Sequence, residues 1–325
     1  MKKRLCVALV ATICAATVAA ESDTLTILMK QLEDVEVTAV VQQPTTNHER
    51  LSQEVLNREN TGQNLPYLLS QTPSLVVTSD DGLGVGYTYF RVRGTDHTRI
   101  NMTVNGVPLN DSESQTVFWV NMTDMASSLS SLDIQRGVGT STNGVASFGA
   151  SVNMHTLSLR DTTTHFTIGF NGGMYKTFKE MASAHVVLPA LNNAQQGRFA
   201  LSARFSKVNS DGFLYHSASD LYSYHADLGY YSKQTNVILS VFGGSETTGM
   251  GWDGVSYDVA YGLNGADRRY NPSGEYTYKY IDENGVEQKE TRVYENQKDK
   301  YAQQHVQLHA THRFNVNWSL SGALH

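Results

Sequence analysis

The side chains with the most obvious chemical capacity are histidines. Of 11 scattered through the chain, His305, His309 and His312 fall in one short run, the nearest approach to a metal or catalytic cluster. The run also alternates like a strand, and a strand turns successive side chains to opposite faces. His305 and His309 then share a face with Gln307 and Thr311, while His312 lies on the other. Two imidazoles among amides and hydroxyls read as a polar wall. Asp80-Asp81-Gly82 and Asp282-Glu283-Asn284-Gly285 are turn-like, and neither continues the acidic spacing of a calcium loop. No G-x-S-x-G elbow supports a Ser/His/Asp constellation. Cys6 and Cys14 lie in the first twenty residues, so the rest of the chain has no disulfide and no thiolate metal site. Neither an enzyme nor a bound cofactor is expected. What remains is a set of arginines and glycine turns: Arg91, Arg93-Gly94, Asn105-Gly106, Arg136-Gly137 and Gly149. These residues position and pair; they do not break bonds.

The elements that must hold them follow from the pattern around them. Residues 1–20 read as a signal peptide, with Lys2, Lys3 and Arg4 before an apolar core and Val18-Ala19-Ala20 at its end. Net charge is −6 and pI about 6.0, which offers no basic footprint for nucleic acid. Mean hydropathy is −0.34, and beyond the leader no apolar run reaches the roughly 20 residues of a transmembrane helix. A transmembrane β-strand escapes that requirement, because only alternate residues face lipid. From Thr164 such alternation dominates. Phe166, Ile168 and Phe170 interleave with Thr167, Gly169 and Asn171; Phe199, Leu201, Ala203 and Phe205 interleave with Ala200, Ser202, Arg204 and Ser206. Similar runs at 179–189, 222–230, 236–248 and 306–314, with one opening at Trp318, predict about six strands and the start of a seventh. Links at 232–235 and 315–317 are tight, whereas 249–298 is a long polar excursion after the fifth strand.

The stretches FRVRGTDHTRINMTVNGVPLND (90–111) and LDIQRGVGTSTNGVASFGASVN (132–153) contain an RG strand end, an NGVP turn, a second RG end and a GA-S-x-N close, in that order. Together they resemble the plug domain of TonB-dependent outer-membrane receptors, with a Bacteroidetes-like cast. The resemblance implies a mixed α/β plug domain followed by antiparallel transmembrane β-barrel strands, here an incomplete barrel, since family barrels have about 22 strands. It divides the chain into a signal peptide (1–20), a TonB-box segment and linker (21–47), a plug (48–158) and the N-terminal portion of the barrel (162–325). The segment Asp34, Val35, Glu36, Val37, Thr38, Ala39 looks like a TonB box, which would add an extended strand to a partner's sheet edge. Within the plug, helices are expected at 51–60 and 64–69, and Arg93, Arg99 and Arg136 are expected to pair with carboxylates of the barrel wall. The family close often has two adjacent glycines where this chain has Gly149-Ala150.

As partners the resemblance implies TonB with its inner-membrane energising complex, outer-membrane lipid and a small-molecule metal chelate. The expected function is active uptake of a scarce nutrient, most commonly an iron chelate, with cobalamin, haem or oligosaccharide as alternative cargoes and a non-transporting barrel or adhesin as the alternative class. Trp252, Arg268, Arg269 and Tyr270 are candidates to contact cargo. An open sheet edge in hydrocarbon leaves backbone groups unpaired at several kcal/mol each. These 325 residues alone are therefore not expected to form a closed transporter.

Overall fold

The computed structural model describes residues 47–137, 148–156, 159, 161, 163–188 and 197–325. The leader 1–20, the TonB-box residues 34–39 and the linker to residue 46 lie outside the described residues, as do 138–147 and the link 189–196.

The plug opens with β1 (His48–Ser52), which runs straight into a helix at Gln53–Glu59; a one-turn helix follows at Leu65–Leu68. The first helix starts later than its sequence pattern suggests. Ser52 is its extended N-cap (φ −76°, ψ 162°), and Leu51 is spent on the β1 ladder opposite Leu132. β2 (Leu75–Ser79) and β3 (Thr88–Val92) form a hairpin. β4 (Ile100–Val104), β5 (Val107–Pro108), β6 (Leu129–Arg136) and β7 (Ala150–Thr156) complete a five-stranded mixed sheet in the order β1-β6-β7-β4-β5, with β1 at an edge. β4 is buried along its whole length, although Asn101 and Thr103 alternate with Ile100, Met102 and Val104. Its polar face is satisfied internally, Thr103 Oγ1 donating to Asn153 Oδ1 at 2.8 Å. Phe90, Met102, Leu132, Ile134 and Met154 are almost wholly buried, at about 1.5–3 kcal/mol apiece.

Most of the described residues after β7 form one antiparallel wall. β8 (His165–Gly172), β9 (Phe178–Leu188), β10 (Arg198–Ser210), β11 (Ser219–Tyr231) and β12 (Thr235–Gly249) are followed by a small separate hairpin of β13 (Glu275–Ile281) and β14 (Glu287–Val293), then by β15 (Lys298–Arg313) and β16 (Ser319–Leu324). Seven of these pair in the order β16-β15-β12-β11-β10-β9-β8. They stand where the alternation predicts strands, and β15 reaches 16 residues against the five or six of an ordinary soluble strand. The alternation sorts the two faces. On β11, Leu221, Ser223, His225 and Asp227 are buried against the plug, while Tyr222 and Leu228 face away and are exposed. Phe166, Ile168 and Phe170 on β8 are likewise exposed, the pattern of a lipid-facing band. Phe242 of β12 belongs to the plug's own core cluster, so plug and wall share apolar packing. β8 and β16 are sheet edges, and the wall does not close among the described residues.

Candidate functional site

Three contacts define how the plug is held: where the chain enters it, where its side meets the wall, and where its apex meets the loops. At the first, the predicted motif residues come together. Arg93 and Gly94 end β3 with φ of 51° and 75°, and Gly137 follows β6 with φ 85°. The Gly137 amide donates to Gly149 O (2.6 Å), and the Gly149 amide donates to Arg99 O (3.1 Å). A Cβ at Gly149 would lie 2.1 Å from Thr95 Oγ1, so this glycine is sterically required; its neighbour Ala150 is fully buried and its methyl is accommodated in the core. Asn105 and Gly106 lie at the opposite end of β4, where the Asn105 side chain accepts from the Thr156 amide (3.0 Å). Arg91 is an exposed residue of β3.

Among the described residues, Arg93 meets a side-chain amide and not the wall carboxylate expected of it, and Arg136 reaches a backbone carbonyl. Arg93 Nη2 donates to Asn47 Oδ1 (2.7 Å), Arg136 Nη1 donates to Pro73 O (2.9 Å), and the Arg136 amide donates to Asn47 O (2.8 Å). They bind the plug to the first residue described ahead of β1.

The ion pair between plug and wall has the reverse polarity. Asp124 carries the charge on the plug, and the cations stand on the wall. Asp124 sits in the left-handed region (φ 54°) between two 3-10 turns, Trp119–Met122 and Met125–Ser128. Its Oδ1 accepts from Lys179 Nζ (2.6 Å), Asn60 Nδ2 (2.7 Å) and Ser127 Oγ (2.7 Å); its Oδ2 accepts from Ser206 Oγ (2.5 Å) and lies 3.6 Å from Arg204 Nη1. Arg204 also donates to Ser128, Ser206 and Ser223 at 2.6, 2.7 and 2.9 Å. Both cations and the carboxylate are almost completely buried. Burial alone would raise the Asp124 carboxyl, but Arg204 and Lys179 outweigh it and hold the group below the usual carboxylate range. Sequence reasoning missed Asp124 and Lys179. Arg204 stands in the inward phase of the β10 alternation, with Ala200, Ser202 and Ser206, but that pattern does not single it out.

At the apex, residues 80–87 join β2 to β3. Asp81 caps this loop, its carboxylate accepting from the amides of Leu83 (2.9 Å), Gly84 (2.8 Å) and Val85 (3.2 Å) as well as from Ser79. The Phe213 amide, from the loop after β10, donates to Asp81 O (2.9 Å). The Tyr87 hydroxyl reaches Asp299 and Glu246 (3.4 Å) on the wall, and its ring meets Trp252 edge-on at 5.5 Å. Asp80, hydrogen-bonded to Tyr89 (3.4 Å), is pushed up to about 6, mainly by burial. Arg269 lies over the rings of Tyr215 (4.5 Å) and Tyr175 (5.1 Å) and donates to Phe213 O (2.8 Å). Trp252 and Arg269 therefore brace the loops to one another and to the apex. A cavity of about 200 Å³ beside Tyr87, Phe118, Tyr301 and Gln303 is smaller than the roughly 300–1,000 Å³ of ordinary small-molecule sites.

Residues 40–151 match the family described as TonB-dependent Receptor Plug Domain. Curated protein sequences yield no match. Solved structures do. The chain resembles FpvA of P. aeruginosa, solved with a ferric heterologous pyoverdine, with TM-score 0.59 at 13% identity, over 84% of this chain and 32% of that one. It resembles the ferric citrate transporter FecA with TM-score 0.59 at 14% identity, over 82% and 37% of the two chains. It also resembles Fiu, a ferric-catecholate import receptor of E. coli K12, with TM-score 0.59 at 12% identity, over 86% and 38%. The chain thus spans about a third of the length of these receptors. At such identities the likeness is one of fold, and that fold is a plug packed against an antiparallel wall. Residues 40–151 thus carry a TonB-dependent receptor plug domain, and the chain as a whole matches these receptors in fold.

Proposed function

We propose that this chain serves TonB-dependent uptake of a scarce nutrient across the outer membrane, with an iron chelate as cargo. The observation that carries the proposal is the Asp124 lock: a plug domain is held to the wall by a buried ionic network and not by packing alone. Such a network keeps a gate shut yet gives it a discrete contact to release. Asp34, Val35, Glu36, Val37, Thr38 and Ala39 act as the TonB box, adding a strand to TonB on the periplasmic side. The loops after β8, β10 and β12 face outward, and the aromatic-rich excursion after β12 is the largest surface offered to cargo. The receptors it resembles include those for ferric pyoverdine, ferric citrate and ferric catecholates, which supports an iron chelate over cobalamin, haem or oligosaccharide.

The test is deletion of residues 34–39, with ferric chelates supplied as the sole iron source. Uptake is expected to stop while chelate binding at the cell surface persists. Uptake that survives the deletion would remove the TonB assignment; loss of both would place the defect in folding or export.

A further inference from the structure

The loops after β8, β10 and β12 meet around one guanidinium. Arg269 lies in the excursion after β12, where its amide donates to Asp267 Oδ1 (2.9 Å) and sets the turn. Its half-buried side chain lies over Tyr215, from the loop after β10, and Tyr175, from the turn after β8, at 4.5 and 5.1 Å. Both distances fall within the roughly 6 Å of a cation–π contact.

Phe213 is where this brace reaches the plug. Its carbonyl accepts from Arg269 Nε (2.8 Å), while its amide donates to Asp81 O (2.9 Å). A Cβ at Gly82, whose φ is 76°, would lie 3.1 Å from Phe213 Cβ, so the plug backbone and the loop are in direct contact. The ring of Tyr175 meets that of Phe213 edge-on at 5.6 Å. Asp81 in turn caps the amides of Leu83, Gly84 and Val85. Phe213 thus stands between Arg269 and the residue that shapes the apex loop.

The excursion touches the apex a second time. A Cβ at Gly251 would lie 2.6 Å from Asp80 O. Asn271, only 3% exposed, ties the two approaches together, its Nδ2 donating to Tyr215 O and Met250 O at 2.8 Å each. The Tyr215 amide donates back to Arg269 O (2.9 Å). From the plug side the same apex loop has an inner clamp: Gln63 Nε2 donates to Leu83 O (2.7 Å) and Asn64 Nδ2 to Val85 O (3.0 Å).

We propose that Arg269 is the positioning residue that couples the outer loops to the plug apex. It holds Phe213 against Gly82 and Asp81, so that displacing the excursion after β12 loosens residues 80–87. The proposal rests on the reading of the plug as a gate, and it needs no contact between Arg269 and cargo. A planar guanidinium suits this place because it stacks on both rings while its Nε–H points to the Phe213 carbonyl; an ammonium has no such fork.

The test is amide exchange of the full chain in detergent micelles, read at Leu83, Gly84 and Val85. Arg269→Met keeps bulk between the two tyrosines and removes the charge and the donor. It should speed exchange at these amides about tenfold, the lower end for loss of a hydrogen bond to a charged group, because the inner clamp remains. Arg269→Lys should fall between wild type and Arg269→Met. The β4 amides in the plug core should be unchanged, which separates a local release from general destabilisation. Phe213→Leu should loosen the same three amides, and adding Arg269→Met to it should have little further effect, since both changes act at one contact. The control is Arg268→Ala, at the exposed neighbour, which should leave the apex as it is. Unchanged exchange at 83–85 in Arg269→Met, equal acceleration in β4, full additivity with Phe213→Leu, or the same effect from Arg268→Ala would overturn the proposal. Exchange is read without transport, so this test and the uptake test on residues 34–39 fail independently.

Discussion

Replacing Asp124 by Asn tests the plug lock with almost no change in volume. The amide can still meet Ser127 and Ser206, but it leaves Lys179 and Arg204 buried without a countercharge. Removing one partner of a buried pair costs about 3–5 kcal/mol, because the remaining charge is stranded in low dielectric. At a factor of ten per 1.4 kcal/mol, the population of chains with the plug released should rise on the order of a hundred- to several-thousand-fold. Trp119 offers the readout: it is 2% exposed, belongs to the plug core and sits on the 3-10 turn that leads to Asp124. In a Trp252→Phe, Trp318→Phe background its emission reports the plug alone, and denaturant titration in micelles gives the shift. Adding Lys179→Met should recover some of the loss, since one stranded cation is then removed, with a coupling of roughly 0.5–3 kcal/mol for residues in contact. If Asp124→Asn leaves the Trp119 transition unmoved, or if Lys179→Met adds its full cost on top, the plug is held by core packing and the ionic reading is wrong.

Gly149→Ala should destabilise the plug by about 1–3 kcal/mol through overpacking on Thr95, partly relieved by Thr95→Gly; thermal melting of the three variants decides it. Asp80 gives a pH dependence whose sign follows from its raised carboxyl. Between the ordinary value of 3.8 and about 6 the folded apex holds the extra proton, so the apex contact should strengthen as pH falls through about 6 and weaken above it. Amide exchange of residues 80–87 between pH 7 and 5 should show this, and Asp80→Asn should abolish it. Arg93→Ala should speed exchange of the β1 amides several-fold, consistent with loss of one hydrogen bond of about 1 kcal/mol to Asn47.

The wall was legible in the sequence because alternation is its own signal: Phe166, Ile168 and Phe170 can face one way only. The turns were legible for a similar reason, since Arg93-Gly94, Asn105-Gly106 and Arg136-Gly137 mark places where φ must turn positive. The lock was not. Asp124 is followed by Met-Ala-Ser-Ser and looks like an ordinary turn residue; its importance comes from a partner 55 residues away on a strand whose register no local pattern encodes. The arginines misled for the same reason. An arginine seeks a partner, but sequence does not say whether it is a wall carboxylate or, as for the exposed Arg93, the side chain of Asn47.

The location of Asn47 has a mechanical consequence. Tension applied ahead of residue 47 would load β1 first, an edge strand whose five pairs with β6 can separate in succession. The helix Gln53–Glu59 comes next, and it ends at Asn60. Asn60 is 6% exposed, and its Nδ2 donates to Asp124 Oδ1 (2.7 Å) and to Ser127 Oγ (2.9 Å). A pull that peels β1 and straightens the helix therefore arrives at the carboxylate that holds the plug to Lys179 and Arg204. Asn60→Ala separates this coupling from the lock itself. It leaves all three charges in place and removes one hydrogen bond to a charged group, about 1.5–3 kcal/mol, less than Asp124→Asn should cost. Surface binding of a ferric chelate should be unchanged, while uptake under iron limitation should fall well below wild type, with Asn60→Asp no better because it sets a second carboxylate against Asp124. Wild-type uptake by Asn60→Ala would mean that tension reaches the lock by another route.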